Sequence, residues 1–384
     1  MTTGGAQVAP CRLLFVVGQM HTGGLERQLV YLLTALDRSR YNPAIVVWNY
    51  SETDVRVPEV RALGVPLYVP VGAPTGVAKV KALRHLVKQL RPEVVHSYTF
   101  YTNIAAHIAA YGTGALAVGS VRSDFAWGIR DAGHLLGRLS ARWPRYQISN
   151  SFSAADAAEK APRPFAPKRC QVVWNGVDLA QFPAVDLPVG PVEIVGLGYL
   201  LPVKRWDRLI NVAAVLKQRG LHCRINIVGD GPLRDPLEAR TRELGVADCV
   251  RFLPHTNDVA GALARASLLV LSSDNEGCPN VVMEAMACGR AVVATAVGDV
   301  PILVEEGNTG FVVPASDQEL LADRVATLVG DRELCRRMGM NARRTAERAF
   351  GLDRLAKDTL AAYCDAGWRE RVRPAVALPH AVPE

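Results

Sequence analysis

The strongest constraint in this chain is a rhythm that runs twice. Short apolar runs alternate with amphipathic segments from residue 12 to residue 174, and again from 192 to 295. RLLFVV (12–17) reads as a buried strand, followed by Leu25, Leu29, Leu32, Leu33 and Leu36 at helical spacing. AIVVW (44–48), PLYVP (66–70), VVH (94–96), AVGSV (117–121), YQIS (146–149) and QVVW (171–174) continue the series. Helices are expected at 24–36, 57–63, 78–90, 102–111, 132–141 and 153–160. Strands separated by helices cannot close as hairpins, so they form a parallel sheet covered by helices on both faces.

Residues 178–191 (DLAQFPAVDLPVGP) break the rhythm with Pro, Gly and Asp turns and read as a linker. The series then restarts with VEIVGLG (192–198), CRINIVG (223–229), CVRFL (249–253), SLLVLSS (267–273) and AVVAT (291–295). Helices are expected at 205–219, 233–244, 257–265 and 280–288, then at 316–329, 331–347 and 352–366. A length of 384 residues exceeds one ordinary core. The expected fold is therefore α/β: two doubly wound, Rossmann-like domains, 1–177 and 192–350, facing a central cleft. A C-terminal helical segment, 351–371, is expected to pack back towards the first domain, and the Pro-rich tail 372–384 to be loose.

Composition removes several classes. No apolar run approaches the roughly 20 residues of a membrane helix, and residues 1–10 carry no charged segment of a signal peptide. The eight cysteines are scattered, with no CxxC and no zinc spacing, which suits a reducing cytoplasm. No GxGxxG follows the first strand and no GxxxxGK[ST] occurs, which disfavours dinucleotide dehydrogenases and P-loop enzymes. The net charge of +7 is uneven: residues 1–175 hold 20 Lys+Arg against 10 Asp+Glu, and 176–384 hold 24 against 27. A basic half can meet an anionic substrate, an anionic membrane surface or nucleic acid, or simply carry solvated arginines.

The stretch SSDNEGCPNVVMEAMACGRAVVAT (272–295) carries the chemistry. A strand feeds a loop holding Glu276, and a helix begins near Pro279 or Asn280, with Glu284 one turn inside. Backbone amides of Asn280, Val281 and Val282 at that helix start would form an anion site for phosphate. Glu284 can accept two hydrogen bonds from vicinal ribose hydroxyls. The plain alternative is capping, but with Asn280 as the cap the capping-box position falls on Met283, one residue short of Glu284. Helix-dipole compensation by the acids stands beside the ligand reading.

Companion motifs surround it. GLGYLLPVKRWDRLI (196–210) places Lys204, a point charge suited to phosphate, after a strand. VGDGPLRD (228–235) offers Gly229 and Gly231 for close backbone approach. VWNGVD (173–178) and the Gly-Asp turn of AVGDVPILVEEGNTGFVVP (296–314) complete the set. Together, and in this order, they resemble the GT-B glycosyltransferases of family 4, the group 1 retaining type. The resemblance covers nearly the whole chain and is densest over 173–314. GQMHTGGLERQLVYLL (18–33) resembles the family's glycine-rich loop and first helix.

The resemblance implies that the second domain holds a nucleotide-diphosphate sugar and the first an acceptor. Glu284 would bind the ribose and Glu276 would face the donor sugar. Lys204 and the amides of Asn280, Val281 and Val282 would hold the diphosphate, with Gly23 and Gly24 approaching it from the first domain. The leaving diphosphate would take the acceptor proton on the face it departs from. No metal or other cofactor is implied. The acceptor would be a sugar, polysaccharide or lipid-linked molecule of cell-surface assembly.

Two positions depart from the family pattern. Tyr199 stands where relatives carry an arginine, leaving Lys204, helped by Arg205, to serve the phosphates. Arg122 stands where many relatives carry a histidine; it can contact donor or acceptor but cannot shuttle a proton, or it can pair with Asp124. His96, closing VVH, is a second candidate for the cleft or a structural residue. The helix over 78–91 carries Lys81, Arg84, Lys88 and Arg91 on one face, either solvated or docking on anionic lipid at the inner face of the cytoplasmic membrane. A sugar-nucleotide epimerase of the same fold and a non-catalytic nucleotide-sugar-binding protein are the alternatives. Nucleic-acid binding would explain the basic half but not the glutamates.

Overall fold

Leu13, Phe15 and Val17 of strand β1 (Cys11–Val17) enter one core cluster, while Leu14 and Val16 enter another on the opposite face. A strand buried on both faces must lie inside a sheet covered on both sides. The computed structural model describes residues 10–21, 23–51, 54–70, 73, 75–122, 125–162 and 164–370, apart from the side chain of Trp127. Asp124 and the tail 372–384 lie outside the described residues.

The first sheet contains β1, β2 (Tyr41–Val47), β3 (Leu67–Tyr68), β4 (Val94–Ser97), β5 (Leu116–Val121), β6 (Tyr146–Ser149) and β7 (Arg169–Val172). All are parallel, in the order β3-β2-β1-β4-β5-β6-β7. Its helices are α1 (Gly24–Ala35), α2 (Val57–Ala62), α3 (Gly76–Leu90), α4 (Asn103–Ala110), α5 (Phe125–Asp131), α6 (His134–Arg142) and α7 (Phe152–Glu159).

The second sheet contains β8 (Val192–Leu197), β9 (Cys223–Val228), β10 (Val250–Leu253), β11 (Leu268–Leu271), β12 (Ala291–Thr295) and β13 (Gly310–Val313), parallel in the order β10-β9-β8-β11-β12-β13. Helices α8 (Trp206–Gln218), α9 (Arg234–Glu243), α10 (Val259–Ala264), α11 (Asn280–Ala287), α12 (Val300–Leu303), α13 (Gln318–Gly330) and α14 (Arg332–Ala349) cover it. The sequence rhythm does not give α5, α12 or β13, because four to seven residues carry too little periodicity to stand out from a loop.

Strand order reverses once in each sheet, between β1 and β4 and between β8 and β11. Crevices open at the carboxyl ends of strands at such a reversal. The loops after β1, β4, β8 and β11 leave from those ends, and they contain the glycine-rich segment, Tyr98–Phe100, Lys204 and Glu276.

The chain returns to the first domain after α14. Val177 N–H donates to the Phe350 carbonyl at 2.7 Å. Helix α15 (Leu352–Asp365) then sends Leu355, Ala356, Ala362 and Tyr363 into the core cluster under β1. Polar contacts brace this return, one within the first domain and one between the domains. Gln28 exchanges hydrogen bonds with Gly176, 2.8 Å to its carbonyl and 2.7 Å from its N–H. Asp299 is fully buried and accepts from Phe152 N–H at 2.9 Å, Ser153 N–H at 3.2 Å and Trp174 Nε1–H at 2.8 Å. A carboxylate from one domain thereby answers the unpaired amides at the start of α7 in the other. Among the described residues no helix is long and apolar enough to cross a membrane.

Candidate functional site

The second-domain wall of the cleft is built by close backbone approach. Gly229 has φ 153, and a Cβ there would stand 2.0 Å from the Gly198 carbonyl oxygen. Gly231 meets Leu200 backbone in the same way, at 2.7 Å. The GDGP turn therefore supports the segment 198–204 that presents Lys204. Gly298, at φ 54, lies against the carbonyls of Glu276 and Gly277, where a Cβ would stand 2.3 and 2.4 Å away. Asp299 N–H donates to Gly277 at 2.9 Å. The Gly-Asp turn thus sets the height of the Glu276 loop, and Thr295 Oγ1 donates to the Ser273 carbonyl at 2.7 Å to fix its start.

These two supported loops meet. Lys204 Nζ donates to Glu276 Oε1 at 2.7 Å, and Ser273 Oγ donates to the same oxygen at 2.6 Å. Both charged side chains are largely but not wholly covered, so the lysine is reachable by a ligand. Its neighbour is tied into a network of its own. Arg205 sits in the left-handed region at φ 49, and its guanidinium is held by Asp207 at 3.0 and 2.9 Å and by Asp274 at 3.0 Å. That network commits the Arg205 guanidinium to two carboxylates of the protein, whereas Lys204 is paired with one.

Helix α11 starts at Asn280 with Pro279 as its cap. The amides of Asn280 and Val281 meet no acceptor among the described residues. The Val282 amide differs, because it donates to the Pro279 carbonyl at 3.1 Å. Two of the three expected amides are thus free for an anion. The Asn280 side chain is used across the cleft: its Oδ1 accepts from Asn175 Nδ2 at 2.7 Å and Gln28 Nε2 at 3.4 Å.

Glu284 is buried, and Arg27 of α1 forms an ion pair with it. Burial pushes the Glu284 carboxyl up, and the facing Arg27 partly offsets this. The sequence gives no local signal of this partner, since 257 residues separate the two. Beside Arg27 opens a cavity of about 390 Å³ between the domains, lined by Tyr31, Arg56, Gln181, His255 and Asn257 among others. A larger cavity of about 570 Å³ lies between residues 184–187 and α14, and none of the site residues above lines it.

On the facing wall Gly23 caps α1, and a Cβ at Gly24 would stand 2.6 Å from the side-chain Nδ2 of Asn280. The glycine leaves room for the Asn280 side chain at the point where α1 meets α11. Tyr199 is half exposed and stacks on His255, with ring centroids 6.1 Å apart. Arg122 lies over the Tyr98 ring at 3.8 Å, and its three guanidinium nitrogens have no hydrogen-bond partner among the described residues.

His96 is not in the cleft. Its ring is buried, with Nδ1 2.7 Å from the Tyr363 hydroxyl and Nε2 3.0 Å from Ser120 Oγ. Burial first, and the nearby Arg122 charge second, hold its pKa well below the usual value, so the imidazole is neutral. A parallel strand buried on both faces aims its polar residues into the core as readily as its apolar ones. Among the described residues no cluster of three or more His, Cys, Asp or Glu could hold a metal ion.

Comparison with known proteins now bears on this geometry. Residues 22–181 match the family described as Glycosyltransferase Family 4, and 179–345 match Glycosyl transferases group 1. The chain belongs to the GT-B glycosyltransferases of family 4. The D-inositol 3-phosphate glycosyltransferase of Salinispora tropica is 36% identical over 233 residues, covering 54% of this chain and 48% of that protein. The N-acetyl-alpha-D-glucosaminyl L-malate synthase of Bacillus anthracis is 33% identical over 163 residues, covering 42% of each. The chain spans about half the length of the curated relatives it matches. Among solved structures, Anabaena HepE in complex with UDP superposes with TM-score 0.78 at 20% identity, over 92% of this chain and 100% of that one. Sucrose-phosphate synthase from Thermosynechococcus elongatus gives 0.75 at 18%, over 92% and 98%. At such identities these two structures speak for the fold alone.

Proposed function

We propose that this family 4 member is a retaining glycosyltransferase that moves a sugar from a nucleotide-diphosphate sugar to an acceptor held by the first domain. The observation that carries this is the meeting of Lys204, Glu276 and the open start of α11 at one reversal point, with Glu284 one turn behind. Glu284 accepts the ribose hydroxyls once the nucleotide competes with Arg27 for its carboxylate. The Asn280 and Val281 amides and Lys204 take the diphosphate, whose charge grows as the glycosidic bond breaks. Donors already aimed at that charge lower the barrier without reorganising. Glu276, held by Lys204 and Ser273, faces the sugar and orients its hydroxyls. The acceptor hydroxyl attacks from the face the diphosphate leaves, and its proton passes to a departing phosphate oxygen.

HepE was solved with UDP and with UDP-glucose, which agrees with a nucleotide-sugar donor. The named relatives transfer sugars to small polar acceptors by their names; a sugar, polysaccharide or lipid-linked acceptor of cell-surface assembly remains our reading for this chain. The test is a panel of nucleotide sugars followed by proton NMR of the anomeric proton of the product. A glycoside with the donor's own anomeric configuration is expected. An inverted product refutes retention. Isomerised nucleotide sugar formed without any acceptor makes the protein an epimerase.

A further inference from the structure

Arg122 leaves β5 at its carboxyl end, on the first-domain side of the cleft. Nε, Nη1 and Nη2 are all buried, and none has a hydrogen-bond partner among the described residues. The guanidinium is stacked on Tyr98, its carbon 3.8 Å from the ring centroid. Stacking satisfies the face of the cation but leaves its N–H donors, which lie in the plane, pointing past the ring. The Tyr98 hydroxyl is likewise buried without a partner among the described residues. Buried charges in proteins are paired, because an unpaired one loses its hydration and gains nothing in return. A guanidinium left unsatisfied among the described residues, beside a cleft, is open to a partner that a ligand supplies.

The surroundings say where that partner comes from. Arg122 lines a cavity of about 300 Å³ with Gly18, Gln19, Thr99, Tyr101 and Asp131. Every residue of that wall belongs to the first domain, opposite the donor groups Lys204, Glu276 and α11. Glu26 and Asp131 share the cavity but neither forms an ion pair with Arg122; the Glu26 carboxylate lies over Gly23 instead. They remain available to hydroxyl groups. In this conformation the nitrogens are closed to solvent, and the partner displaces part of the wall as it enters.

We propose that Arg122 binds an anionic group, a carboxylate or a phosphate, carried by the acceptor. This rests on the reading of the cleft as a glycosyl-transfer site. A planar guanidinium gripping two oxygens of such a group fixes both the position and the orientation of the acceptor. It therefore sets which hydroxyl meets the sugar.

The test is equilibrium binding to the full chain with matched pairs, in the presence and absence of nucleoside diphosphate. Glucose is compared with glucose 6-phosphate and with glucuronate as acceptor-side probes, and UDP-glucose with UDP-glucuronate as donor-side probes. The wild type is expected to prefer the anionic sugars by about tenfold or more. Arg122→Gln removes the preference, and Arg122→Lys, which keeps the charge but not the fork, retains part of it. Nucleotide affinity stays unchanged in both variants. Equal binding of the neutral and anionic sugars by the wild type overturns the proposal without needing any variant, as does a preference that survives in Arg122→Gln. A preference seen only in the UDP-sugar pair overturns the assignment to the acceptor. Failure of the wild type to bind any nucleotide refutes the transferase reading instead, and the sugar pairs still report on Arg122 in its absence.

Discussion

Removing the Lys204 ammonium should weaken the diphosphate part of nucleotide binding and little else. A charge-assisted hydrogen bond is worth about 1.5–3 kcal/mol, or roughly 10- to 150-fold in Kd. The structure places the effect at the lower end. Lys204 is already paired with Glu276 at 2.7 Å before any ligand arrives, so phosphate binding exchanges one anionic partner for another. Lys204→Ala also leaves Glu276 with Ser273 as its remaining side-chain donor, and some stability is lost with the pair. The expected result is a rise of about tenfold in the Kd of a nucleoside diphosphate, with the affinity of the bare nucleoside unchanged. Calorimetric titration of both ligands into wild type and variant measures it. Equal diphosphate affinity in the two proteins, or an equal loss for nucleoside and diphosphate, refutes the phosphate role.

Three further perturbations follow from the same geometry. Burial raises the Glu284 carboxyl in the folded protein, so it takes up a proton at higher pH than an exposed glutamate. The fold then gains stability as pH falls through that window, while nucleotide affinity falls because the ribose loses its ionised acceptor. Glu284→Gln should abolish both slopes in pH-dependent denaturation and titration. Asp299→Asn replaces a carboxylate that accepts from Phe152, Ser153 and Trp174, and should cost about 1–3 kcal/mol; Trp174 fluorescence during denaturation reads the loss, and an unshifted midpoint refutes the joint. Gly298→Ala forces a Cβ against the Glu276 and Gly277 carbonyls at a positive φ. It should slow transfer by tenfold or more, on the order of 1–2 kcal/mol of left-handed strain, with nucleotide affinity nearly intact.

Much of this was legible in the sequence. The doubled rhythm gives two parallel sheets, and motif order gives the loops that carry Lys204, Glu276 and Glu284. What failed were partners set by tertiary contact. Lys204 and Arg205 are adjacent, but the left-handed backbone at Arg205 sends its guanidinium to Asp207 and Asp274. His96 closes a strand that is buried on both faces, so Tyr363 from the returning helix α15 claims one ring nitrogen. Arg27 and Glu284 find each other only because α1 and α11 face one another in the fold. No spacing along the chain encodes such a meeting. Asp299 could have been suspected, since a Gly-Asp turn after a strand supplies a buried acceptor, but its partners at 152, 153 and 174 could not.

The account stands on the cleft being a nucleotide-diphosphate site with Glu284 at its ribose end. Thermal denaturation of wild type and Glu284→Ala with UDP, GDP and ADP tests that directly. A ligand at 100 times its Kd stabilises the folded protein by about 2.7 kcal/mol. At least one of the three diphosphates should raise the wild-type midpoint by several degrees, and that rise should largely vanish in Glu284→Ala. No shift with any of them, or an equal shift in both proteins, contradicts the account.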